Sequence, residues 1–321
     1  MTSASHSILD NPRFQKPAGL QTHRFYQSQT GHWITYGCLH HPNTKGHIVI
    51  LPGLSEFIEK YHETIQDFYD QGYSVWVIDW HYQGRSGRFA ANPHKRHSDG
   101  FDTDIADLRY LIHNYIPETK EIPLLLVAHS TGGNLALRYI NHYPDSVSAA
   151  LLTSPLLGIF DTRAVPNILL HALSWILSPW HTNYVPGGSN WRASERPGDG
   201  SSKFSSDPLR DQIHNAWCLK DSALQVGSPT FGWVHHALQA IAFLHKDNVV
   251  RNITTPCLFV SASHDTIVDI EATKKYADKL QNAEHLTIND CQHELFVEKD
   301  EARNKIFKQF DIFLKAHSIH C

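Results

Sequence analysis

Short uninterrupted apolar runs recur along the chain and predict β-strands that are buried on both faces. The runs cover residues 47–51, 74–78, 123–127, 149–152 and 257–260, with a weaker one at residues 284–288. Two β-rich stretches precede them, residues 22–28 and 33–39, and the residues that join these stretches are typical of a hairpin turn. The pattern therefore predicts a hairpin followed by the strands of a central sheet.

Between the strands, apolar residues recur every three or four positions, as they do on one face of a helix. This pattern covers residues 57–71, 134–142, 270–280 and 300–316, and also the segment after Ser98. Ser98 or Asp99 is the expected N-cap of that last helix. Strands that alternate with helices predict an α/β fold, in which helices cover both faces of a mostly parallel sheet.

The alternation stops between residues 156 and 252, where prolines, a Gly-Gly pair and a polar run replace it. Helical patterns at residues 168–177 and 233–245 flank this part. Five tryptophans lie within it, which argues against a disordered linker. We therefore expect a core built from residues 1–155 and 253–321, with a cap inserted at residues 156–252.

Composition and charge agree with an ordinary globular protein. Of the 321 residues, 41% are apolar and 19% are charged, and the net charge of −4 gives no reason to expect nucleic-acid binding. The five cysteines have no C-x-x-C spacing and are typical of reduced thiols. No signal peptide and no apolar run of about 18 residues is visible, so we expect a cytoplasmic protein whose membrane contact is at most peripheral.

Residues 124–133 have the form of a strand, a tight turn and a helix, with Ser130 in the turn. A nucleophile elbow requires small residues two positions before and two positions after its serine. Ala128 and Gly132 meet this requirement, although alanine replaces the usual first glycine. The alternative is an ordinary strand–helix loop in which Ser130 is an N-cap.

Partners for Ser130 occur in the expected chain order of nucleophile, acid and base. His293 follows the last strand and precedes the last helix, which suits a general base. The backbone N–H groups of Leu54 and Thr131 are candidate oxyanion donors, and Gly53 lets the Leu54 loop approach the substrate.

The orienting acid is either Asp265 or Asp269, since both follow the same predicted strand. We favour Asp265, because Asp269 directly precedes a predicted helix and suits its N-cap. The acid would hold one tautomer of the histidine and stabilise the imidazolium without taking its proton.

The chain has 24 histidines, which raises the question of a metal. His293-Glu294 begins like the H-E-x-x-H motif of zinc enzymes, but Val297 stands where the second histidine would be. Other adjacent histidine pairs point in different directions on a strand or a helix. We expect neither a metal nor a cofactor.

The motifs together resemble the lysophospholipase and monoacylglycerol lipase branch of α/β-hydrolases, also catalogued as serine aminopeptidase S33. Within it, the likeness to the bacterial lysophospholipase L2 group is greatest. The resemblance is carried by residues 51–56, 78–87 and 128–132, by residues 154–159 and 227–234 in or next to the inserted segment, and by residues 293–298. It implies a triad of Ser130, Asp265 and His293, oxyanion donors at Leu54 and Thr131, and a lipid or ester substrate under the cap.

Apolar residues at the start of the inserted segment are candidates for substrate contact. Leu156, Leu157 and Phe160 follow the sixth predicted strand and are expected near Ser130. The next predicted helix is more apolar than a helix exposed to solvent needs to be, and its apolar residues are Ile168, Leu169, Leu170, Leu173, Trp175 and Ile176. These residues would line an acyl tunnel, rest on a membrane surface or pack the cap onto the core.

Three functions remain open from the sequence. The first is hydrolysis of carboxylic esters, with lysophospholipid or monoacylglycerol as the substrate. The second is an aminopeptidase, which needs an acidic pocket for the substrate ammonium; Glu56, Glu59 and Glu63 are the candidates, although their spacing is typical of a solvated helix face. The third is a non-catalytic binding protein, against which the complete set of serine, acid and histidine argues. The sequence makes no prediction of oligomeric state.

Overall fold

A single sheet of eight strands forms the centre of the computed structural model, which describes residues 8–27, 31–89, 91–117, 121–162, 165 and 167–319. The strands are β1 (Gln21–Gln27), β2 (His32–Leu39), β3 (His47–Leu51), β4 (Ser74–Asp79), β5 (Leu124–His129), β6 (Ala149–Thr153), β7 (Cys257–Ala262) and β8 (Ala283–Ile288). Their order across the sheet is β1-β2-β4-β3-β5-β6-β7-β8. The β1–β2 and β2–β4 pairs are antiparallel, and the other pairs are parallel.

Nine α-helices accompany these strands in the described ranges. They are α1 (His62–Asp70), α2 (Phe101–Tyr115), α3 (Thr131–His142), α4 (Asn167–Ile176), α5 (Ile213–Lys220), α6 (Phe231–Leu244), α7 (Asp247–Asn252), α8 (Ile270–Ala277) and α9 (Asp300–Ala316). The predicted α/β architecture is confirmed. The predicted strands and most predicted helices occur within a few residues of their expected bounds. Residues 29 and 30 of the predicted hairpin turn (residues 29–32) lie outside the described residues.

Continuous apolar strands are explained by two cores, one on each face of the sheet. Along β3, Ile48 and Ile50 belong to the core shared with α1 and α9, whereas Val49 and Leu51 belong to the core on the opposite face, which is shared with α2, α3 and α6. Successive side chains of a strand point to opposite faces, so a strand covered on both sides is apolar at most of its positions. The carboxyl ends of the parallel strands then meet at one edge of the sheet.

The predicted cap of α2 at Ser98 or Asp99 is wrong. Gly100 precedes the helix with a φ of 125°, and its carbonyl accepts from Thr103. The Ser98 hydroxyl instead accepts from the Gly100 N–H, and the Asp99 carboxylate accepts from the Tyr82 hydroxyl. Both polar side chains stabilise the loop before the helix, and glycine alone tolerates the backbone conformation of the turn.

The helices between β6 and β7 divide into two groups by their environment. Trp233, Ala237 and Leu244 of α6 belong to the core that α2 and α3 share with the sheet. On α4, by contrast, Leu173 and Trp175 are 53% and 72% exposed. The helix pattern did not predict α5 and α7, which are short and carry no long apolar period. In the described part of the chain, no helix has both the length and the apolar character that a membrane crossing requires.

Candidate active site

Ser130 lies in a sharp turn between β5 and α3. Its backbone has a φ of 53° and a ψ of −116°, which is a strained conformation for a residue with a side chain. Backbone hydrogen bonds hold it there, because the Ser130 N–H donates to the Thr153 carbonyl at 3.0 Å and the Ser130 carbonyl accepts from Leu156 at 2.9 Å. This strained strand–turn–helix geometry is that of a nucleophile elbow.

The small residues on either side of Ser130 have different reasons to be small. A Cβ atom on Gly132 would lie 2.1 Å from the carbonyl oxygen of Leu51, so only glycine fits against β3. Ala128 is fully buried in β5, where it pairs with Leu51 on one side and with Leu152 on the other. Its methyl group packs into the core on the α3 face of the sheet, and the alanine at the first small position therefore leaves the elbow intact.

The three residues expected to act together converge at the carboxyl edge of the sheet. His293 Nε2 lies 3.0 Å from Ser130 Oγ, and His293 Nδ1 lies 2.7 Å from Asp265 Oδ2. Ser130 follows β5, Asp265 follows β7 and His293 follows β8. Parallel strands bring these loops together although the residues are far apart in the chain.

The carboxylate of Asp265 is held in its ionised form. Its Oδ1 accepts from the backbone N–H groups of Ile267 and Val268 at 2.8 and 3.0 Å. Burial by itself raises the pKa of Asp265, but the imidazole of His293 and the two backbone donors outweigh it, so the pKa is lowered. Nδ1 therefore carries the proton that faces Asp265, and Nε2 is left to accept from the Ser130 hydroxyl.

Asp269, the alternative acid, lies at the start of α8. Its Oδ1 accepts from the backbone N–H groups of Glu271 and Ala272 at 3.0 and 3.2 Å. These are the bonds of an N-cap, which agrees with the predicted role. Of the two carboxylates, Asp265 is the one in contact with His293.

Leu54 and Thr131 present their backbone beside Ser130. Both residues line the same cavity as the serine, and neither N–H donates to another group within the ranges that the structure describes. Thr131 is the first residue of α3, whose N-terminal N–H groups have no partner inside the helix. The free donors and their position are what an oxyanion hole requires.

A cavity of about 160 Å³ lies over Ser130. It is lined by Leu54, Glu56, His129, Ser130, Thr131, Leu156, Ile159, Phe204, Trp233, Ile267, His293 and Glu294. Of the predicted substrate contacts, Leu156 is in the lining. Leu157 lies in the core, where its carbonyl is 2.9 Å from His245 Nε2, and half-buried Phe160 begins a short 3₁₀ helix outside the cavity. Gly53 is not among the lining residues, and its N–H donates to Glu56 Oε2 at 2.5 Å.

Sequence reasoning did not single out Phe204 or Ile267 as part of this lining. Phe204 is the one aromatic residue in the polar run at residues 194–207, and no periodic pattern marks it. Ile267 follows Asp265 by two residues, and the sequence does not indicate which way its side chain points. Both residues are far from Ser130 in the chain, and folding alone brings them to the cavity.

The chain matches the family model described as serine aminopeptidase, S33, over residues 42–300. It belongs to this family. It is 30% identical over 271 residues to a probable lysophospholipase L2 of Haemophilus influenzae, and the match covers 84% of each chain. It is 26% identical over 299 residues to lysophospholipase L2 of Escherichia coli strain K12, which covers 89% of this chain and 84% of that relative.

Solved structures agree on the fold of this S33 family member. A soluble variant of monoglyceride lipase from Saccharomyces cerevisiae, in complex with a substrate analogue, matches with a TM-score of 0.75 at 16% identity. The match covers 94% of this chain and 96% of that chain. The predicted α/β-hydrolase fold and the predicted family are thus both confirmed.

The expectation that Glu56, Glu59 and Glu63 form a solvated helix face is wrong. Glu56 and Glu63 are only 2% and 5% exposed. Each of the three carboxylates binds a cation, and the pairs are Lys60–Glu56 at 2.6 Å, Arg85–Glu59 at 2.7 Å and Arg210–Glu63 at 2.8 Å. The three carboxylates do not share one helix, because Glu56 precedes a 3₁₀ turn (Ile58–Tyr61), Glu59 lies in it and Glu63 lies in α1.

Several histidines of this S33 protein are buried and neutral rather than solvated. The ring of His129 lies 4.7 Å from that of His293, and its Nδ1 is 3.2 Å from the Thr153 carbonyl oxygen. Burial lowers the pKa of His129 to about 4. His129 is therefore an uncharged neighbour of His293 at neutral pH.

One group of side chains in the described residues has the composition of a metal site. His32, His81 and Asp99 place one donor atom each within 4.8 Å of one another. The two imidazole rings stack with centroids 3.2 Å apart, so they lie face to face instead of pointing at a common centre. The guanidinium of Arg96 also donates to the His81 carbonyl at 3.0 Å, which brings a positive charge close to the group. The absence of a metal and of a cofactor stays a prediction.

Proposed function

We propose that this protein hydrolyses carboxylic esters of lipids through an acyl-enzyme on Ser130. The observation that carries the proposal is the hydrogen-bonded chain of Asp265, His293 and Ser130 beneath a small cavity with two free backbone donors. Membership of the S33 family and the lysophospholipase L2 relatives support a lipid ester as the substrate.

Acylation follows from the positions of these atoms. His293 Nε2 takes the proton of the Ser130 hydroxyl while Oγ attacks the ester carbonyl carbon. The N–H groups of Leu54 and Thr131 stabilise the negative charge that develops on the carbonyl oxygen. Asp265 stabilises the imidazolium. The tetrahedral intermediate then collapses, the C–O bond to the alcohol breaks, and His293 returns the proton to the leaving alkoxide.

Deacylation uses the same groups with water as the nucleophile. The oxygen of a water molecule attacks the acyl carbon while His293 takes a proton from that water. The oxyanion donors again stabilise the negative charge on the carbonyl oxygen. When the bond to Ser130 breaks, the proton passes to Oγ. The products are a free fatty acid and the restored serine.

The nearby carboxylates are already ion-paired, and this favours an ester substrate over an aminoacyl amide. An aminopeptidase needs a free carboxylate to bind the substrate ammonium. Lys60, Arg85 and Arg210 already neutralise Glu56, Glu59 and Glu63. The lining of the cavity also includes Leu156, Ile159 and Trp233, which suit an acyl chain.

A substrate panel tests this proposal. We expect a fluorophosphonate probe to label Ser130, and we expect hydrolysis of lysophosphatidylcholine and of monoacylglycerol to exceed hydrolysis of aminoacyl anilides in kcat/KM. The ratio of the two lipid activities reports the head-group preference, and lysophospholipid is favoured by the relatives. Faster hydrolysis of the anilides would reverse the ranking, and a protein that is neither labelled nor active on any ester would overturn the proposal.

We also propose that residues 156–252 form the cap and that α4 rests on a lipid surface. Leu169, Leu173, Trp175 and Ile176 are each more than half exposed, which argues against the alternative that they pack the cap onto the core. The helix lies on α6, where Ser174 Oγ is 3.1 Å from His235 Nδ1, and α6 carries the cavity residue Trp233. A membrane bound at this face would be close to the active site. A cytoplasmic protein would meet the inner face of the membrane in this way.

A double substitution, Leu173→Ser and Trp175→Ser, is expected to weaken vesicle binding. Burial of one large apolar side chain contributes about 1.5 kcal/mol or more, so about tenfold is lost for each. The measurement is co-sedimentation with phosphatidylcholine/phosphatidylglycerol vesicles, with hydrolysis of a water-soluble short-chain ester as the check on folding. The matched control is Leu219→Ser, which changes an exposed leucine of α5. Equal sedimentation of all three proteins would contradict the proposed contact.

A further inference from the structure

A buried chain of alternating charges runs from the oxyanion loop to the inserted segment. Glu56 accepts from the Gly53 N–H at 2.5 Å and from the Lys60 ammonium at 2.6 Å. The same ammonium lies 2.5 Å from Glu294 Oε2. Arg196 completes the chain with two hydrogen bonds to Glu294, at 3.0 and 2.9 Å. We refer to these four charged residues, Glu56, Lys60, Glu294 and Arg196, as the buried network.

The buried network is electrically balanced, with two carboxylates and two cations. Burial raises the pKa of Glu294, but Arg196 and Lys60 outweigh it and hold that pKa well below its usual range. Burial likewise lowers the pKa of Arg196, but Glu294 outweighs it and the pKa is raised. Glu294 and Arg196 are therefore both charged at neutral pH, and loss of either one leaves an uncompensated charge beside the active site.

Arg196 reaches this network from the inserted segment. Its guanidinium lies 3.5 Å from the centroid of the Phe204 ring, which itself lines the cavity. The backbone between them docks on the histidine loop, since the Glu294 N–H donates to the Phe204 carbonyl at 2.8 Å and the His293 N–H donates to the Lys203 carbonyl at 3.4 Å. The inserted segment thus contacts Glu294 through a side chain and through the backbone, and it contacts His293 through the backbone.

We propose that Arg196 is a positioning residue that reaches out of the inserted segment and holds His293 in line with Ser130 through Glu294. The inference rests on the proposed function. Glu294 is covalently next to His293, so two parallel hydrogen bonds from a planar guanidinium fix the peptide that carries the imidazole. Through Lys60 and Glu56 the same network reaches Gly53, the residue before the oxyanion donor Leu54. One cap side chain therefore aligns the base, and the network links it to the oxyanion loop.

A change in the net charge of the network is also expected to act on the nearby His293 imidazole. The titratable groups around this imidazole are Asp265 from the loop after β7, His129 from β5, and the cavity residues Glu56 and Glu294. Lys60 and Arg196 lie one ion pair further away, on Glu56 and Glu294. Removal of the Arg196 charge leaves a net negative charge, which favours the imidazolium. Removal of the Glu294 charge leaves a net positive charge, which disfavours it.

The test compares Arg196→Gln, Glu294→Gln and the double variant with the wild type on a water-soluble short-chain ester. We expect kcat to fall about tenfold to a hundredfold in each single variant, as for a misplaced catalytic group, with a much smaller change in KM. The acidic limb of the profile of kcat/KM against pH should move to higher pH in Arg196→Gln and to lower pH in Glu294→Gln. In the double variant the limb should return towards that of the wild type. A structural role alone would not produce shifts of opposite sign.

Two further variants keep the inference falsifiable. Arg192→Gln is the matched control, because Arg192 lies in the same segment with a side chain that is 60% exposed, and it should behave as wild type. Arg196→Lys keeps the positive charge but loses the two parallel hydrogen bonds of the guanidinium to Glu294. We therefore expect kcat to fall while the acidic limb of the pH profile stays in place. Wild-type kcat in both Arg196 variants, or shifts of the same sign in the two single variants, would overturn the inference while leaving the proposed function intact. A wild type that is inert on every ester would overturn both.

Discussion

Replacement of Ser130 by alanine is expected to lower kcat for ester hydrolysis about a millionfold, because the variant lacks the atom that carries the acyl group. Ser130 Oγ is 3.0 Å from His293 Nε2 and lies in the cavity with the two oxyanion donors. The residual rate should come from substrate binding and the oxyanion hole alone. The measurements are steady-state hydrolysis of a lysophospholipid and labelling by a fluorophosphonate probe. Labelling should be absent in the variant.

Ser154→Ala is the matched control for this experiment. Ser154 is a buried serine with a φ of 43°, and it follows β6, the neighbour of β5 in the sheet. Its hydroxyl has no hydrogen-bond partner in the described part of the chain, so its loss should leave labelling and turnover close to those of the wild type. If Ser130→Ala retained labelling, or if Ser154→Ala alone lost it, the assignment of the nucleophile would be wrong.

Replacement of Asp265 by asparagine is expected to lower kcat by about ten thousandfold with little change in the fold. The asparagine amide would direct N–H donors towards His293 Nδ1, so Nδ1 would become an acceptor and the proton would move to Nε2. A protonated Nε2 cannot accept the hydroxyl proton of Ser130. Steady-state kinetics at neutral pH, together with thermal unfolding to verify the fold, measure this effect.

Asp269→Asn provides the comparison, since Asp269 follows the same strand and was the alternative acid. Asparagine is about as good an N-cap as aspartate, so the bonds to Glu271 and Ala272 should persist. We expect stability and kcat close to the wild type. If instead Asp269→Asn were inactive and Asp265→Asn active, the orienting acid would have to be reassigned.

The fold could be predicted largely from the sequence because its signals are local. A strand such as β3 is buried on both faces, so its positions 48–51 are all apolar and the run is visible without any knowledge of its neighbours. The elbow is similar, since its small residues reflect contacts within one strand–turn–helix unit and with the adjacent strand. Chain order alone then identified the loops of Asp265 and His293.

The errors arose where a local pattern is compatible with two environments. Carboxylates at helical spacing have the same sequence pattern whether water or a buried cation is the partner. Glu63 binds Arg210, which is 147 positions further along the chain, and the sequence around Glu63 does not predict that ion pair. The choice between Ser98, Asp99 and Gly100 as the cap of α2 failed for the same reason, because Asp99 found a partner in Tyr82.

The sequence by itself determined the strands, the elbow around Ser130, the order of its partners and the family. Only the tertiary structure decided which aspartate contacts His293, which apolar residues line the cavity, that the apolar face of α4 is exposed, and that Arg196 binds Glu294 at a separation of 98 residues. The physical reason is range. Apolar periodicity and steric demands act between near neighbours, whereas buried ion pairs and cavity walls are made by residues that meet only when the chain has folded.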